Sequence, residues 1–301
     1  MKESIFVIVN TEEELNLVDS NFNIIEYNKM KDILFGAIIG DMCGSSYERS
    51  FDKDMELDKI ELITPEMHFT DDTVCSIAIA DAIIKDVDNP NFEESLIKWC
   101  RKYPKAGYGK MFYEWFMSAD SERPNIESYG NGSAMRVSSC GWLPTKDEAL
   151  ELARLSALPT HSHPAGIRGA QAIAECIWTA YNSCNAKALV LDIAKKYYPE
   201  FDFDVPISEL RKEYTLDCTC QGSVPQAIKC YWESNSFEDC LKRAIWLGGD
   251  TDTIAAMAGS IAYADYWYVP AYLIEAAKNN LPDEMLEVVD AFDDFVTYEE
   301  W

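Results

Sequence analysis

Positive charge is scarce in this chain relative to negative. Lysine and arginine together number 26 against 52 aspartates and glutamates, a net charge of −26 at neutral pH. Such a surface repels phosphate backbones and anionic bilayers, which argues against nucleic-acid binding through phosphates and against residence on an acidic membrane. Long apolar runs are also missing. The run Ile5 to Val9 is too short for a signal sequence and no segment could span a bilayer, so a cytoplasmic protein is expected. The ten cysteines are scattered, several within helical patterns (Cys75, Cys100, Cys176, Cys240), as buried thiols in a reducing compartment would be. Cys218-Thr219-Cys220 has no matching second pair, which argues against zinc.

What is present is a large core. The 301 residues are 48% hydrophobic, enough for one big domain with an appendage. Residues 1–29 form the appendage: Ile5 to Val9 reads as a buried strand and Phe22 to Tyr27 as a second, with a Glu-rich stretch between. Residues 30–301 read as helical. Thr145 and Glu148 have capping-box spacing, and Asn91 with Glu94 and Ser236 with Asp239 mark similar starts. Pro206, Pro225 and Pro270 are breakers or first-turn residues, and Ile60 to Ile63 reads as a strand. The expected fold is an all-α globule of a dozen or so helices, with a small β appendage.

Two short acidic clusters stand out. Thr70-Asp71-Asp72-Thr73 precedes a helical run from Val74 to Ile84, and Gly248-Gly249-Asp250-Thr251-Asp252-Thr253 precedes one from Ile254 to Trp267. Each by itself reads as a helix cap. One cap, however, does not need two carboxylates and two hydroxyls on each of two helices. If the clusters meet, four carboxylates share one volume. Two of them ~4 Å apart repel by roughly 4 kcal/mol even at an effective dielectric of 20, so the cluster calls for cations. Oxygen ligands without adjacent thiolate or imidazole suit Mg²⁺, Mn²⁺ or Ca²⁺. The reading is a split binuclear metal site.

Other segments add ligand-binding chemistry. Gly36, Gly40 and Gly44 around Asp41 suggest a helix giving way to a tight loop, from which Glu48 reaches toward the metals. Gly130-Asn131-Gly132-Ser133 reads as a turn entering a helix, whose free amides suit phosphate or a diol. His161, in Thr160-His161-Ser162-His163-Pro164 before a helix from Ala165 to Ala180, offers a hydrogen bond rather than a metal ligand. Gly222 and Ser223 end a loop before a helix from Gln226 to Trp232.

In this order the motifs resemble the ADP-ribosylglycohydrolase family, which includes the dinitrogenase reductase-activating glycohydrolase and related ADP-ribosylhydrolases. The resemblance runs from about Met30 to near the C-terminus. It implies a compact all-α fold, two Mg²⁺ (or Mn²⁺) and hydrolysis of the bond at C1″ that links ADP-ribose to an acceptor. Carried over, Thr70, Asp71, Asp72, Asp250, Asp252 and Thr253 are the metal ligands. Asp72, Asp252 and Glu48 are candidates for the general acid or base, Glu48 also as a gate. Asn131, Gly132, Ser133, His161, Gly222 and Ser223 are substrate contacts, with Tyr129 or Trp232 against adenine. The implied metal chemistry is chelation of the ribose 2″ and 3″ hydroxyls and activation of water.

Three other readings use the same residues. A binuclear phosphohydrolase would share the carboxylates; an ADP-ribose-binding module would bind without cleaving; an immunity protein would recognise a toxin through residues 1–29. The acceptor, whether arginine, serine, a nucleic-acid base or a small molecule, is left open, as is a partner protein.

Overall fold

The computed structural model describes residues 31–48 and 52–298, and the backbone of three short strands before them. The chain divides into two units, Met1–Lys31 and Asp32–Trp301. In the first, β1 (Phe6–Val9), β2 (Leu15–Val18) and β3 (Ile24–Ile25) form an antiparallel meander. Phe6 pairs with Val18, and Val18 in turn with Ile24. The sequence reading found the outer strands and missed β2, whose Leu-Asn-Leu-Val lies within the stretch taken as Glu-rich. Ile5, Phe22 and Tyr27 lie outside the described residues.

The second unit is all-α. Its helices are α1 (Phe35–Ser45), α2 (Asp71–Lys85), α3 (Phe92–Lys102), α4 (Lys110–Met117), α5 (Lys146–Ala157), α6 (Pro164–Tyr181) and α7 (Ala186–Tyr197), then α8 (Ile207–Glu213), α9 (Cys220–Glu233), α10 (Phe237–Leu247), α11 (Thr251–Tyr266), α12 (Ala271–Asn280) and α13 (Asp283–Tyr298). The Thr145 hydroxyl accepts from the Glu148 amide while the Glu148 carboxylate accepts from Thr145, completing the capping box on α5. Asn91 and Ser236 cap α3 and α10 as their spacing predicts. Pro206 and Pro270 sit at the N-caps of α8 and α12.

Helix α11 forms the centre, with every side chain from Thr251 to Ala264 buried. Helices α1, α6, α9 and α10 pack around it. The reason lies in α1. Its glycines do not open a loop, as the sequence suggested, but lie inside a helix at four-residue spacing on the face that meets α11. A Cβ on Gly40 would stand 2.2 Å from the Ala255 carbonyl oxygen, and one on Gly44 2.4 Å from that of Thr251. Glycine's poor helix propensity is thus outweighed by backbone-to-backbone packing. Opposite Gly36, α11 answers with Gly259.

Three further expectations change. Ile60 to Ile63 is irregular, since among the described residues no strand pairs with it; Ile60 and Leu62 are simply buried side chains. The Asn131–Ser133 segment is a 3-10 turn followed by a second one, Ser138–Trp142, rather than the start of an α-helix. Helix α9 begins at Cys220, not Gln226, and carries Pro225 inside it. Thr219 caps it by accepting from the Gly222 amide. Among the described residues no helix is long and apolar enough to cross a membrane.

Candidate active site

The first turns of α2 and α11 meet. Thr70 caps α2, its Oγ1 accepting from the Asp72 amide at 3.3 Å, and this places Asp71 and Asp72 in the first turn. On the other side Gly248 and Gly249 adopt positive φ (86° and 78°), which brings the chain round so that Asp250 and Asp252 open α11. The Thr253 hydroxyl then donates to Asp72 Oδ2 at 3.0 Å across the junction.

Asp41, from the middle of α1, is fully buried beside them. Its Oδ1 accepts from the Thr70 hydroxyl (2.7 Å), and its Oδ2 from the amides of Thr70 (2.9 Å) and Thr73 (3.1 Å) and from the Thr73 hydroxyl (2.5 Å). With four donors already on its oxygens, Asp41 braces α2 rather than facing a ligand. It also takes the Thr70 proton, as Asp72 takes that of Thr253. Each threonine oxygen therefore keeps lone-pair density for a cation.

Two groups of carboxylates have oxygens within 4.8 Å of one another: Asp41, Asp72 and Asp252, and Glu48, Asp250 and Asp252. Asp252 belongs to both. Glu48, half-buried, thus reaches the cluster from the segment that follows α1. Burial, then repulsion from Asp41, pushes Asp71 up to about 8. Burial raises Asp72 and Asp252 well above the carboxylate range, reinforced chiefly by Asp252 in the first case and Asp250 in the second. Asp72 Oδ1 is buried with no hydrogen-bond partner. An orphaned oxygen among mutually repelling carboxylates fits a hard divalent cation.

The cluster lies in the wall of a cavity of about 770 Å³. Asp71, Asp72, Asp250, Asp252, Thr70, Thr253 and Glu48 all line it, with Asn131, Gly132 and His161. Asn131 Nδ2 donates to Asp250 Oδ2 at 2.7 Å, which joins the turn to the acidic cluster. Burial, then the Arg136 charge, holds His161 well below the usual imidazole range.

Three expected substrate contacts are not among the lining residues. The Ser133 hydroxyl donates to the Gly166 carbonyl at 2.8 Å, and that of Ser223 to Thr219 at 2.7 Å. Gly222 is pressed against Asp217, whose carboxylate leaves no room for a Cβ. Tyr129 and Trp232 are not on the cavity wall either: Tyr129 is 52% exposed beside His163, and Trp232 lies under Lys229. The aromatic side chain that does line the cavity is Phe112 of α4, stacked on Trp115. Lys105 and Lys110, which also line it, put positive charge beside an acidic site. Nothing local marks Lys105, Lys110 or Phe112 in the sequence. Asp41 had a signal, since the Gly36-Gly40-Gly44 spacing matches the small residues of α11.

The match to known proteins agrees with this arrangement. Residues 23–299 match the family model for ADP-ribosylglycohydrolase. The chain is 28% identical to ADP-ribosylhydrolase ARH3 of Mus musculus over 79% of its own length and 84% of that protein's. It is 24% identical to the ADP-ribosylarginine hydrolase Tri1 of Pseudomonas putida (strain GB-1), over 79% of this chain and 71% of that one. A solved structure titled ADP-ribosylglycohydrolase-related protein complex shares the fold, with a TM-score of 0.64 at 19% identity over 89% of this chain and 99% of that one. Glycine-packed, acid-lined and matched over most of its length, the chain belongs to the ADP-ribosylglycohydrolase family.

Proposed function

We propose that the protein is a divalent-cation-dependent hydrolase that removes ADP-ribose from a modified acceptor by cleaving the glycosidic bond at C1″ of the distal ribose. The observation that carries this is the convergence of the two acidic clusters in the wall of one cavity large enough for a nucleotide sugar. Family membership supports the same reading.

Two Mg²⁺, or Mn²⁺, would be held by Asp71, Asp72, Asp250 and Asp252 with the hydroxyl oxygens of Thr70 and Thr253. When bound, such ions supply Lewis-acid charge at the ribose hydroxyls and acidify water. The remaining work falls to the chain itself. Asn131 keeps Asp250 oriented, and Asp41 keeps the first turn of α2 in place. Glu48, the one half-buried member of the two carboxylate groups, is the one that exchanges a proton with the water or the departing acceptor. The amides around Gly132 and the Lys105 and Lys110 side chains take the pyrophosphate, which offsets the long-range repulsion from a chain of net charge −26. Phe112 offers a flat apolar face for adenine.

The test is a panel of ADP-ribosyl-arginine, ADP-ribosyl-serine peptide and phosphate esters, incubated with Mg²⁺, Mn²⁺ or chelator. Free ADP-ribose should appear only with cation. Phosphate release without ADP-ribose would instead identify a phosphohydrolase. Tight ADP-ribose binding with no cleavage of any linkage would identify a binding module.

A further inference from the structure

One buried charge on the cavity wall has no part in the chemistry above. Arg136 is 1% exposed, and among the described residues no carboxylate pairs with it. Its guanidinium donates to the Ser156 carbonyl at 2.6 Å and to Thr160 Oγ1 at 3.1 Å. Thr160 is itself 0% exposed, and its Oγ1 stands 2.8 Å from His161 Nδ1.

These contacts decide where the imidazole proton sits. A guanidinium can only donate, so the Thr160 oxygen must accept from it. The threonine's own proton then needs an acceptor, and among the described residues Nδ1 is the one in reach. Were Nδ1 to carry hydrogen, the hydroxyl would accept twice and leave its proton buried and unpaired. Nδ1 therefore presents its lone pair and Nε2 carries the hydrogen. Nε2 has no partner among the described residues and lies against Gly132, where an added Cβ would be 2.9 Å away.

We propose that Arg136 and Thr160 are positioning residues that lock His161 as a neutral Nε2–H donor, directed at a pyrophosphate oxygen of the substrate beside Gly130 to Gly132. The identity of that oxygen rests on the ADP-ribose reading; the tautomer rests on the hydrogen-bond chain alone. A neutral donor at this place gives the substrate a contact of constant strength across physiological pH.

The chain has three histidines, so long-range ¹H–¹⁵N ring spectra of the labelled protein resolve each, with His161→Gln assigning the signal. The wild type should show His161 as the Nε2–H tautomer across about pH 6 to 8. Thr160→Val should move the ring toward the other tautomer and raise the Kd for ADP-ribose, measured with Mg²⁺, roughly tenfold. Its kcat should hardly change, because the contact is equal in ground and transition states. Thr160→Ser should restore both spectrum and affinity. A wild-type ring that is Nδ1–H or doubly protonated overturns the proposal, as does a Thr160→Val spectrum identical to wild type. Failure of the wild type to bind ADP-ribose would remove the substrate reading and leave the tautomer result standing.

Discussion

The hydroxyl of Thr253 donates to Oδ2 of Asp72 across 3.0 Å, tying together two acidic turns separated by 181 positions in the chain. Neither turn holds a ligand set on its own. The site exists only while the first turns of α2 and α11 meet, so its chemistry and its fold are tested by the same substitutions.

Asp252 belongs to both carboxylate groups, and its loss should be the most damaging. Asp252→Ala is expected to abolish Mg²⁺ binding by calorimetry and to lower turnover by roughly a thousandfold or more. Asp71→Ala should behave likewise. The metal-free thermal midpoint should stay level or rise, because each change removes one of several carboxylates that repel by ~4 kcal/mol per close pair. Turnover retained by either variant in metal-free buffer would refute the assignment.

Glu48 belongs to only one of the two groups. Glu48→Gln keeps the side chain's size but cannot exchange a proton, so turnover should fall roughly a hundredfold or more while the Mn²⁺ bound per chain stays unchanged. A loss of bound Mn²⁺ in Glu48→Gln would instead place Glu48 in the ligand set.

Without cations the cluster should make stability depend on pH in an unusual direction. Asp71 is raised to about 8, chiefly by burial. An acid whose folded pKa lies above its unfolded value of ~4 binds protons more tightly when folded. Its contribution is complete below about pH 4 and is lost as pH climbs toward the folded value. In chelator, the thermal midpoint should thus fall by several degrees from about pH 5 to about pH 8. Mg²⁺ should recover most of that loss, since it favours the ionised carboxylates. A midpoint that rises with pH in chelator would contradict the geometry.

Asp41 is expected to matter without touching substrate. Asn at this position would turn an amide N–H toward the Thr70 and Thr73 donors, at a cost of ~2–3 kcal/mol for the mismatched contacts. Asp41→Asn should lower the thermal midpoint and weaken Mg²⁺ together. A variant with normal stability but no metal binding would make Asp41 a ligand instead of a brace.

Much of this could be read before folding was known, and the rest fails for identifiable reasons. Thr70 to Thr73 and Asp250 to Thr253 are legible because capping residues, carboxylates and glycines fall within a few positions. The glycine spacing marks the place of Asp41, but its role as a brace is not legible, because its four hydrogen bonds come from another helix. Gly36, Gly40 and Gly44 misled because local propensity treats glycine as a breaker, whereas here the neighbouring helix requires it. Ser223 looked like a ligand contact because its hydroxyl follows a glycine; in the fold that hydroxyl donates back to the Thr219 carbonyl one turn earlier. Phe112 and Lys110 carry no motif, and only the placement of α4 brings them to the cavity.

The bare face of α1 also sets a gauge. With α11 resting directly on peptide atoms at Gly40 and Gly44, the reach from Asp41's helix to Asp252's is fixed by main chain, which yields far less than a side chain. Mg²⁺ asks for oxygen ligands at about 2.0–2.1 Å and Ca²⁺ at about 2.3–2.6 Å, a difference smaller than the shift one inserted methyl would force. In the proposed site, ionic radius would thereby be set by residues that never approach the ion. An alanine at either glycine would act as a shim, opening the cage toward the larger cation.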